Sequence, residues 1–356
     1  MSASPLHAIV VGGSLAGLAA TLALARVGVR VTVLERSGPQ PRSGGAVGVD
    51  QDHLERITGI PAADPGRRGS APESWSGLHQ RLRRAAEASH LVRIVDHTTV
   101  TGIRQSEDHV TVFADGEQWH ADVVVGADGH RSVVRRTVAP DHTEARFAGY
   151  GLWLGIAAES AVAGLRPWPA DADILGADDA VLIGYPLEGE DGRRREGTRR
   201  LGWAWFDPTR NALLRDRGAV RDGVVRHSVR AEDVPSRTLD ELGRSASQWP
   251  EPWRAAIRDS IRRRSVTGTP IAEYVPRRLV AGRVALVGNA AHVPTPMTGR
   301  GFDTSLDDAA SLAEILDGAA NDDVPRALEQ YEFERLEPSR AMVRSGQSFS
   351  EWFGRS

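Results

Sequence analysis

The sequence contains no cysteine, and this absence removes several kinds of chemistry at once. Without thiols the protein has no disulfide bond, no thiolate nucleophile and no cysteine-containing metal site. Lysine is absent as well, so all 44 basic residues are arginines and catalysis by a lysine amine is excluded. Redox chemistry in this protein would therefore depend on a bound cofactor.

Excess charge of one sign and long apolar runs are also lacking. The formal net charge of the 356 residues is -3, which gives no strong attraction for nucleic acid or an anionic membrane. No run of about 18 apolar residues occurs, and the N-terminus lacks the pattern of a signal peptide. We therefore expect a cytoplasmic monomer or homodimer with a small-molecule substrate, and neither nucleic acid nor membrane as a partner.

The first 35 residues have the pattern of a βαβ unit: a β run, a glycine turn, a helical apolar pattern and a second β run. The turn reads VGGSLAG over residues 11–17, a variant of Gly-x-Gly-x-x-Gly with serine at the middle glycine. Gly12 permits the tight turn, Gly17 lets helix and strand approach, and the helix N-terminus can hold a pyrophosphate. Glu35 ends the second strand, where a carboxylate can accept hydrogen bonds from a ribose.

A second glycine-containing segment, GADGHRSVVR over residues 126–135, directly follows an apolar strand. Asp128 begins a sharp turn there, and Ser132 can cap the helix that follows. The segment is also compatible with a purely structural strand-to-helix turn.

A third segment begins with GNAAH over residues 288–292 and continues through Pro296, Gly299 and Gly301 into a helix. Glycines at this place would bring backbone amides and a helix N-terminus against an electron-poor ring that becomes anionic on reduction.

Together, and across nearly the whole chain, these segments resemble those of the para-hydroxybenzoate-hydroxylase-like FAD-dependent monooxygenases. The sequences GGS at 12–14, ERS at 35–37, YGLW at 150–153 and WAW at 203–205 resemble the branch that contains 2,6-dihydroxypyridine 3-hydroxylase. The resemblance implies that the first segment holds the ADP half of FAD, the second serves FAD and NAD(P)H, and the third lies along the ribityl chain and isoalloxazine. It assigns to FAD the residues Gly12, Gly13, Ser14, Ala16, Gly17, Glu35, Arg36, Arg42, Val100, Asp128, Asn289, Pro296, Gly299, Gly301 and Phe302.

The fold class that the resemblance implies is α/β, a Rossmann-like FAD domain with a parallel sheet, interrupted by a mostly antiparallel substrate domain and ending in helices. From Gly149 to Phe206 the sequence itself changes to aromatic-bearing strands without helices between them. We divide the chain into FAD-binding parts at 1–73, 74–148 and 271–356, with the substrate domain at 149–270. The strands between Val92 and Val125 are predicted to extend the first sheet, and residues 37–64 to hold little beyond a short helix.

The activity that the resemblance implies is hydroxylation of a small aromatic or N-heteroaromatic ring. NAD(P)H would reduce FAD, O₂ would add at flavin C4a, and the hydroperoxide would transfer oxygen to the ring. An oxidase, a dehydrogenase or a flavin-binding protein without oxygenase activity on the same fold stays open as the alternative.

Four departures from the family pattern bear on this interpretation. Asn289 stands where the family usually has Asp, which predicts weakened FAD binding because an amide carries no charge. Asp303 replaces the usual Asn near the flavin pyrimidine, where a carboxylate disfavours the reduced anion unless it turns away. Leu154 occupies a position where related sequences often carry Arg, and the segment between Gly48 and Trp75 is short.

Candidates for catalysis and substrate binding come from residue type. His79 and His292 are candidate bases for a phenol-like substrate, with a structural histidine as the competing interpretation. Tyr185, Trp203 and Trp153 lie in predicted strands and can line an aromatic pocket or fill a core. The other histidines lack metal-ligand spacing, so no metal site is expected.

Overall fold

The computed structural model describes residues 5–39, 45–62, 69–162, 164, 168–177 and 179–354. The helices are α1 (Leu15–Arg26), α2 (Gln51–Thr58), α3 (Trp75–Ala88), α4 (Arg135–Val138), α5 (Asn211–Asp216), α6 (Ser236–Ser245), α7 (Trp253–Arg262), α8 (Gly301–Leu316) and α9 (Val324–Phe353).

The strands are β1 (His7–Val11), β2 (Arg30–Leu34), β3 (Ala46–Asp50), β4 (Ser70–Ser74), β5 (Val92–Val95), β6 (Val100–Gln105), β7 (Val110–Ala114), β8 (Glu117–Ala121), β9 (Val123–Gly126), β10 (Arg146–Ala158), β11 (Asp173–Ala177), β12 (Ala180–Leu187), β13 (Arg200–Asp207), β14 (Val220–Arg221), β15 (Val224–Val225), β16 (Thr267–Glu273), β17 (Val280–Ala281) and β18 (Val284–Leu286). Across the described residues, no helix is both long and apolar enough to span a bilayer.

The first sheet has the strand order β17-β18-β9-β1-β2-β5 and is parallel except at the edge strand β17. β1 is central and nearly fully buried, which explains its uninterrupted apolar sequence. The carboxyl ends of β1, β2, β9 and β18 meet at one edge of this sheet. The loops that follow these four strands are therefore neighbours in space.

The second sheet has the order β11-β12-β13-β10-β15-β14, with β16 also paired to β10, and every pairing is antiparallel. One face packs against α6 and α7 around Trp153, Trp203 and Trp253. The opposite face carries Tyr150, Tyr185 and Phe206 and packs against the end of α9. A parallel sheet combined with a separate antiparallel sheet and C-terminal helices confirms the predicted fold class, while the boundaries chosen between the parts stay predictions.

Two details of the predicted fold are wrong. Of the strands predicted to extend the first sheet, β5 and β9 belong to it, but β6, β7 and β8 form a separate three-stranded sheet. Asp115 and Gly116 make the two-residue turn between β7 and β8, both with positive φ (47° and 83°), as a tight hairpin requires. Residues 37–64 also contain β3, which pairs with β4 from Ala46↔Ser74 to Asp50↔Ser70. That pairing depends on a distant partner and left no strong periodicity in the sequence.

Candidate functional site

The glycine turn after β1 is built by close contacts that leave no room for side chains. Gly12 has a φ of 105°, and a Cβ on it would lie 2.5 Å from the carbonyl oxygen of Ala127. A Cβ on Gly17 would lie 1.9 Å from the carbonyl oxygen of Gly12. Within the described chain the Ser14 side chain makes no capping hydrogen bond to α1, so the first amides of the helix stay available to a ligand.

Glu35 reaches back from the end of β2 to this turn. Its carboxylate accepts a hydrogen bond from the Gly13 amide at 2.7 Å and one from the Ser37 amide at 2.8 Å. The carboxylate is thereby held beside the N-terminus of α1. A ribose placed there would meet an acceptor next to the amides that can bind its phosphates.

Asp128 caps the turn that follows β9. Its carboxylate accepts hydrogen bonds from the Ser132 hydroxyl at 2.5 Å and from the Val133 amide at 2.6 Å, while the Ser132 Oγ accepts from the Arg135 amide at 2.9 Å. Burial raises the pKa of Asp128 even though these donors oppose the shift. The predicted capping role of Ser132 is observed.

Arg135 joins the second and third segments, a role that the sequence analysis missed. Its guanidinium is fully buried and donates to the carbonyl oxygens of Ala290 at 2.7 Å and Asn289 at 2.8 Å. It also donates to the carbonyl oxygens of His130 and Thr143 and lies 4.0 Å from the ring centroid of Tyr274. The sequence offered one indication of this role: Arg135 ends the glycine-containing segment that follows an apolar strand.

A second buried network lies behind the turn at Gly288. His292 Nε2 lies 2.7 Å from Asp308, and both side chains have no exposed surface. Asp308 also accepts from the Gly288 amide at 3.0 Å and from Arg335 Nε at 3.1 Å. Burial alone would raise the pKa of Asp308, but His292 and Arg335 hold it below its ordinary value. His292 is fully enclosed by these contacts. Its position therefore suits holding the Gly288 turn in shape better than contacting a substrate.

The three segments line one cavity of about 900 Å³. Among the residues assigned to FAD, those that line it are Gly12, Ser14, Ala16, Glu35, Arg36, Val100, Asp128, Asn289, Pro296, Gly299, Gly301 and Phe302. Gly13 and Gly17 lie at the turn itself and shape it through the contacts described above. Arg42 lies outside the described residues. The volume falls within the range of cofactor sites in enzymes.

The residues that line the cavity carry the kinds of chemical groups that FAD requires. The glycine turn, the α1 N-terminus and Glu35 suit an adenosine diphosphate, and Arg36 and Arg131 add positive charge to the same cavity lining. The exposed Asn289 side chain follows along the cavity wall and can hydrogen-bond a hydroxyl-bearing chain. At the far end Pro296 and the glycines around α8 form a wall without bulky side chains.

His130 lines the same cavity and differs from an ordinary surface histidine. Burial, with Arg131, Arg135 and Arg36 nearby, lowers its pKa to about 4. It is therefore neutral near pH 7, when its ring adds no further positive charge to this part of the cavity.

The other proposed base, His79, lies beneath the glycine turn. It is 9% exposed, its Nε2 is 2.9 Å from the carbonyl oxygen of Gly13, and its ring stacks on Trp75 with centroids 4.9 Å apart. Trp75 lines the cavity. These contacts make His79 a support of the turn, and a catalytic role for it or for His292 stays a prediction.

Of the three predicted substrate-pocket aromatics, only Tyr185 faces the cavity side. Its hydroxyl accepts a hydrogen bond from the Ala46 amide at 3.2 Å, and Ala46 lines the cavity. Trp153 and Trp203 lie on the other face of the sheet, where their indole nitrogens donate to Asp207 at 2.8 Å and Ser260 at 3.0 Å. The two tryptophans therefore pack in the core under α6 and α7, because side chains alternate between the faces of a strand, and their assignment to a substrate pocket stays a prediction.

The structure shows the surroundings of two residues at which a departure from the family pattern is expected, Asp303 and Leu154. The Asp303 carboxylate turns toward β3, where it accepts a hydrogen bond from the Asp50 amide at 3.1 Å. Burial, with Asp50 nearby, raises the pKa of Asp303. Leu154 lies on the same face of the second sheet as Tyr185 and is partly buried.

Comparison with known proteins identifies the kind of protein to which this site belongs. A family model described as an FAD binding domain matches residues 6–77, 74–174 and 210–346. These segments cover most of the chain and include all three glycine-containing segments.

Named relatives and a solved structure agree with this match. The chain is 28% identical to a 2,6-dihydroxypyridine 3-monooxygenase from Paenarthrobacter nicotinovorans, over 96% of this chain and 90% of the relative. It is 27% identical to a 3-hydroxybenzoate 6-hydroxylase from Klebsiella oxytoca, over 96% of this chain and 87% of the relative. The structure of 2,6-dihydroxypyridine-3-hydroxylase from Arthrobacter nicotinovorans superposes with a TM-score of 0.80 at 25% identity, covering 99% of this chain and 94% of the other.

Proposed function

We propose that this chain, which belongs to the FAD-binding-domain family and is an FAD-dependent monooxygenase, uses NAD(P)H and O₂ to hydroxylate a small aromatic or N-heteroaromatic substrate. The two named relatives act on a dihydroxypyridine and a hydroxybenzoate. We therefore expect a substrate of similar size that contains a single hydroxylated aromatic or N-heteroaromatic ring. The alternative of an oxidase or dehydrogenase rested partly on Asp303, whose carboxylate instead bonds the Asp50 amide.

One observation supports the proposal above all others: the lining of the cavity joins the dinucleotide turn to Ala46, which contacts the second sheet. Its lining includes Gly12 and Glu35 as well as Ala46, Gly299 and Gly301. Ala46 in turn meets Tyr185 on the second sheet. A cofactor held in this cavity would therefore present its ring end to a site between the two sheets.

FAD, when bound, would supply the electron transfer from NAD(P)H to O₂ and the oxygen transfer to the substrate. The protein would hold the cofactor through its first turn and Glu35, and would fix the substrate ring against the apolar face of the second sheet. That face would also exclude water from the reacting atoms.

The experiment is a substrate screen on FAD-loaded protein that follows both NAD(P)H consumption and product mass. A hydroxypyridine or hydroxybenzoate that stimulates NAD(P)H oxidation and yields a product heavier by one oxygen atom supports the proposal. Ring-stimulated oxidation that produces only hydrogen peroxide, with no hydroxylated product from any ring tested, would contradict it.

A further inference from the structure

His130 lines the cofactor cavity, although it is not among the residues that the sequence assigns to FAD. Its ring nitrogen Nε2 is buried and, within the described chain, has no hydrogen-bond partner. A buried polar atom without a partner costs free energy, and such atoms in native proteins are nearly always paired with protein, water or a ligand. An unpaired nitrogen in the wall of a cofactor cavity therefore points to a contact that the cofactor completes.

The turn that carries His130 packs directly against the glycine turn of the first segment. A Cβ on Gly12 would lie only 3.0 Å from Asp128 Cα. Arg36, which directly follows Glu35, acts electrostatically on the His130 ring. His130 therefore lies near the part of the cavity where Gly12 and Glu35 suit an adenosine diphosphate.

The backbone around His130 is held by contacts within the protein. Before it, the Asp128 carboxylate accepts a hydrogen bond from the Val133 amide at 2.6 Å, and Gly129 takes a positive φ of 82°. The buried guanidinium of Arg135 donates to the carbonyl oxygen of His130 itself at 3.0 Å. Because the turn is fixed in this way, a ligand that contacts the ring has little additional ordering to impose on binding.

The surroundings of His130 keep its ring uncharged. Burial, followed by the charges of Arg131, Arg135 and Arg36, lowers its pKa to about 4. A neutral imidazole has one N–H donor and one acceptor nitrogen. Nε2 can therefore donate to a phosphate oxygen or form a hydrogen bond with a ribose hydroxyl, and both groups belong to the ADP half of FAD.

We propose that His130 is a further FAD-binding residue, whose Nε2 forms a hydrogen bond with a phosphate or ribose oxygen of the ADP half. This contact gives the buried nitrogen the partner that the described part of the protein does not supply. The inference rests on the binding of FAD and is independent of the substrate and of the hydroxylation reaction.

The test titrates FAD into wild-type and variant protein and follows the flavin fluorescence. His130→Leu removes both ring nitrogens and is expected to weaken FAD binding about tenfold, because one hydrogen bond to the cofactor is lost. His130→Gln can place an amide N–H near the position of Nε2 and should restore the affinity to within about threefold of wild type. His90→Leu makes the same change at an exposed position outside the cavity lining and should leave FAD affinity unchanged.

ADP locates the contact within the cofactor. Its affinity, measured by competition against FAD, should fall in His130→Leu by the same factor as that of FAD. Unchanged FAD affinity in His130→Leu, a loss that His130→Gln does not restore, or a loss for FAD without one for ADP would each overturn the inference.

A purely structural role for His130 predicts a different result for the protein without FAD. Since Nε2 has no partner in the described chain, FAD-free His130→Leu should melt at the wild-type temperature or above it, and should gain less than wild type when FAD is added. A variant that melts well below wild type without FAD, yet binds FAD with wild-type affinity, would identify a structural histidine and contradict the inference.

The inference and the proposed function fail in different ways. If FAD and ADP affinities change as expected but no ring substrate is hydroxylated, the proposed function fails and the role of His130 stands. If hydroxylation is observed while His130→Leu binds FAD like wild type, the proposed function stands and the inference about His130 fails.

Discussion

Asn289 is the residue of the cofactor site at which the sequence analysis expects a departure from the family pattern. Its side chain is exposed and lines the cavity, and its backbone is fixed by Arg135. An amide can hydrogen-bond a sugar hydroxyl, but hydrogen bonds to a carboxylate are roughly twice as strong.

We expect Asn289→Asp to tighten FAD binding about fivefold, since a charged acceptor adds about 1 kcal/mol to a hydrogen bond. Titration followed by flavin fluorescence measures the dissociation constant. Gln118→Glu, at an exposed position on β8, makes the same chemical change away from the cavity and controls for added negative charge. Unchanged or weaker FAD binding in Asn289→Asp would show that this side chain does not face the cofactor.

Asp308 is the residue on which the Gly288 turn depends for its shape. Removing it by Asp308→Ala leaves His292, Arg335 and the Gly288 amide without their shared acceptor, which should cost about 3–5 kcal/mol of unfolding free energy. The half-buried neighbour Asp307, which lies 3.7 Å from Arg335 and 3.3 Å from His53, is the matched control, and Asp307→Ala should cost less than about 1 kcal/mol. Denaturant unfolding of both variants checks this, and equal losses would contradict it.

The pH dependence of this contribution follows from the direction of the pKa shift. The folded pKa of Asp308 lies below its ordinary value of 3.8, so the folded state binds the proton less readily than the unfolded state. The stabilisation is fully present above the unfolded pKa and is lost as pH falls through the folded one. The difference in stability between wild type and Asp308→Ala should therefore be constant from about pH 5 upward and shrink below pH 3.8.

At the scale of elements, Arg135 links the turn after β9 to the turn after β18 by hydrogen bonds to carbonyl oxygens of both turns. Arg135→Lys keeps the charge but loses the planar fork that reaches several carbonyl oxygens at once. We expect a loss of about 2–4 kcal/mol in unfolding free energy and weaker FAD binding, because buried carbonyl groups lose their donors. Arg84→Lys, at an exposed helix position, should change neither quantity. Wild-type FAD affinity in Arg135→Lys would mean that the two turns do not depend on each other.

The second sheet offers a matched pair of strand glycines. A Cβ on Gly202 in β13 would lie 2.0 Å from Tyr185 Cε2, whereas a Cβ on Gly176 in β11 meets no atom within 4 Å. Gly202→Ala should displace the Tyr185 ring and weaken substrate binding at least tenfold while FAD still binds. Gly176→Ala should leave both unchanged. Calorimetric titration with FAD and with aromatic ring ligands checks each variant. Unchanged binding of the ring ligands to Gly202→Ala would contradict the assignment of Tyr185 to the substrate site.

How much of the structure could be predicted also differs from element to element. The βαβ unit and its turn were predictable because Gly12, Gly17 and Glu35 lie within 35 residues and each has a local physical reason. Asp115-Gly116 carried an equally local hairpin signal that the prediction did not use. Arg135 and Asp308 act through partners 155 and 20 residues away along the chain, and no local pattern reveals such pairings.

The aromatic residues of the second sheet show what the alternation of side chains along a strand cannot predict. Alternation predicts that Trp203 and Trp205 share one face of β13, with Ala204 and Phe206 on the other. It does not tell which face meets the cavity, since that depends on where α6 and α7 pack. For this reason the sequence could not tell that Tyr185 lies on the cavity side and Trp153 and Trp203 on the helix-covered side.

At the scale of the whole molecule, FAD should stabilise the fold because its site joins three distant parts of the chain. A ligand at a hundredfold excess over its dissociation constant adds about 2.7 kcal/mol to the free energy of unfolding. FAD should therefore raise the melting temperature by several degrees in a concentration-dependent manner. Riboflavin, which lacks the ADP half, should have a much smaller effect at equal concentration. Equal stabilisation by riboflavin would contradict the assignment of Gly12 and Glu35 to that half.

The measurement that tests the central claim most directly is the origin of the oxygen atom in the product. FAD-loaded protein, NAD(P)H and an accepted ring substrate are allowed to react under ¹⁸O₂ in ordinary water, and in parallel under ordinary O₂ in H₂¹⁸O. We predict one labelled oxygen atom per product molecule in the first reaction and none in the second, because a monooxygenase takes the inserted atom from O₂. Label that enters from water, or a product without new oxygen, would contradict the monooxygenase assignment.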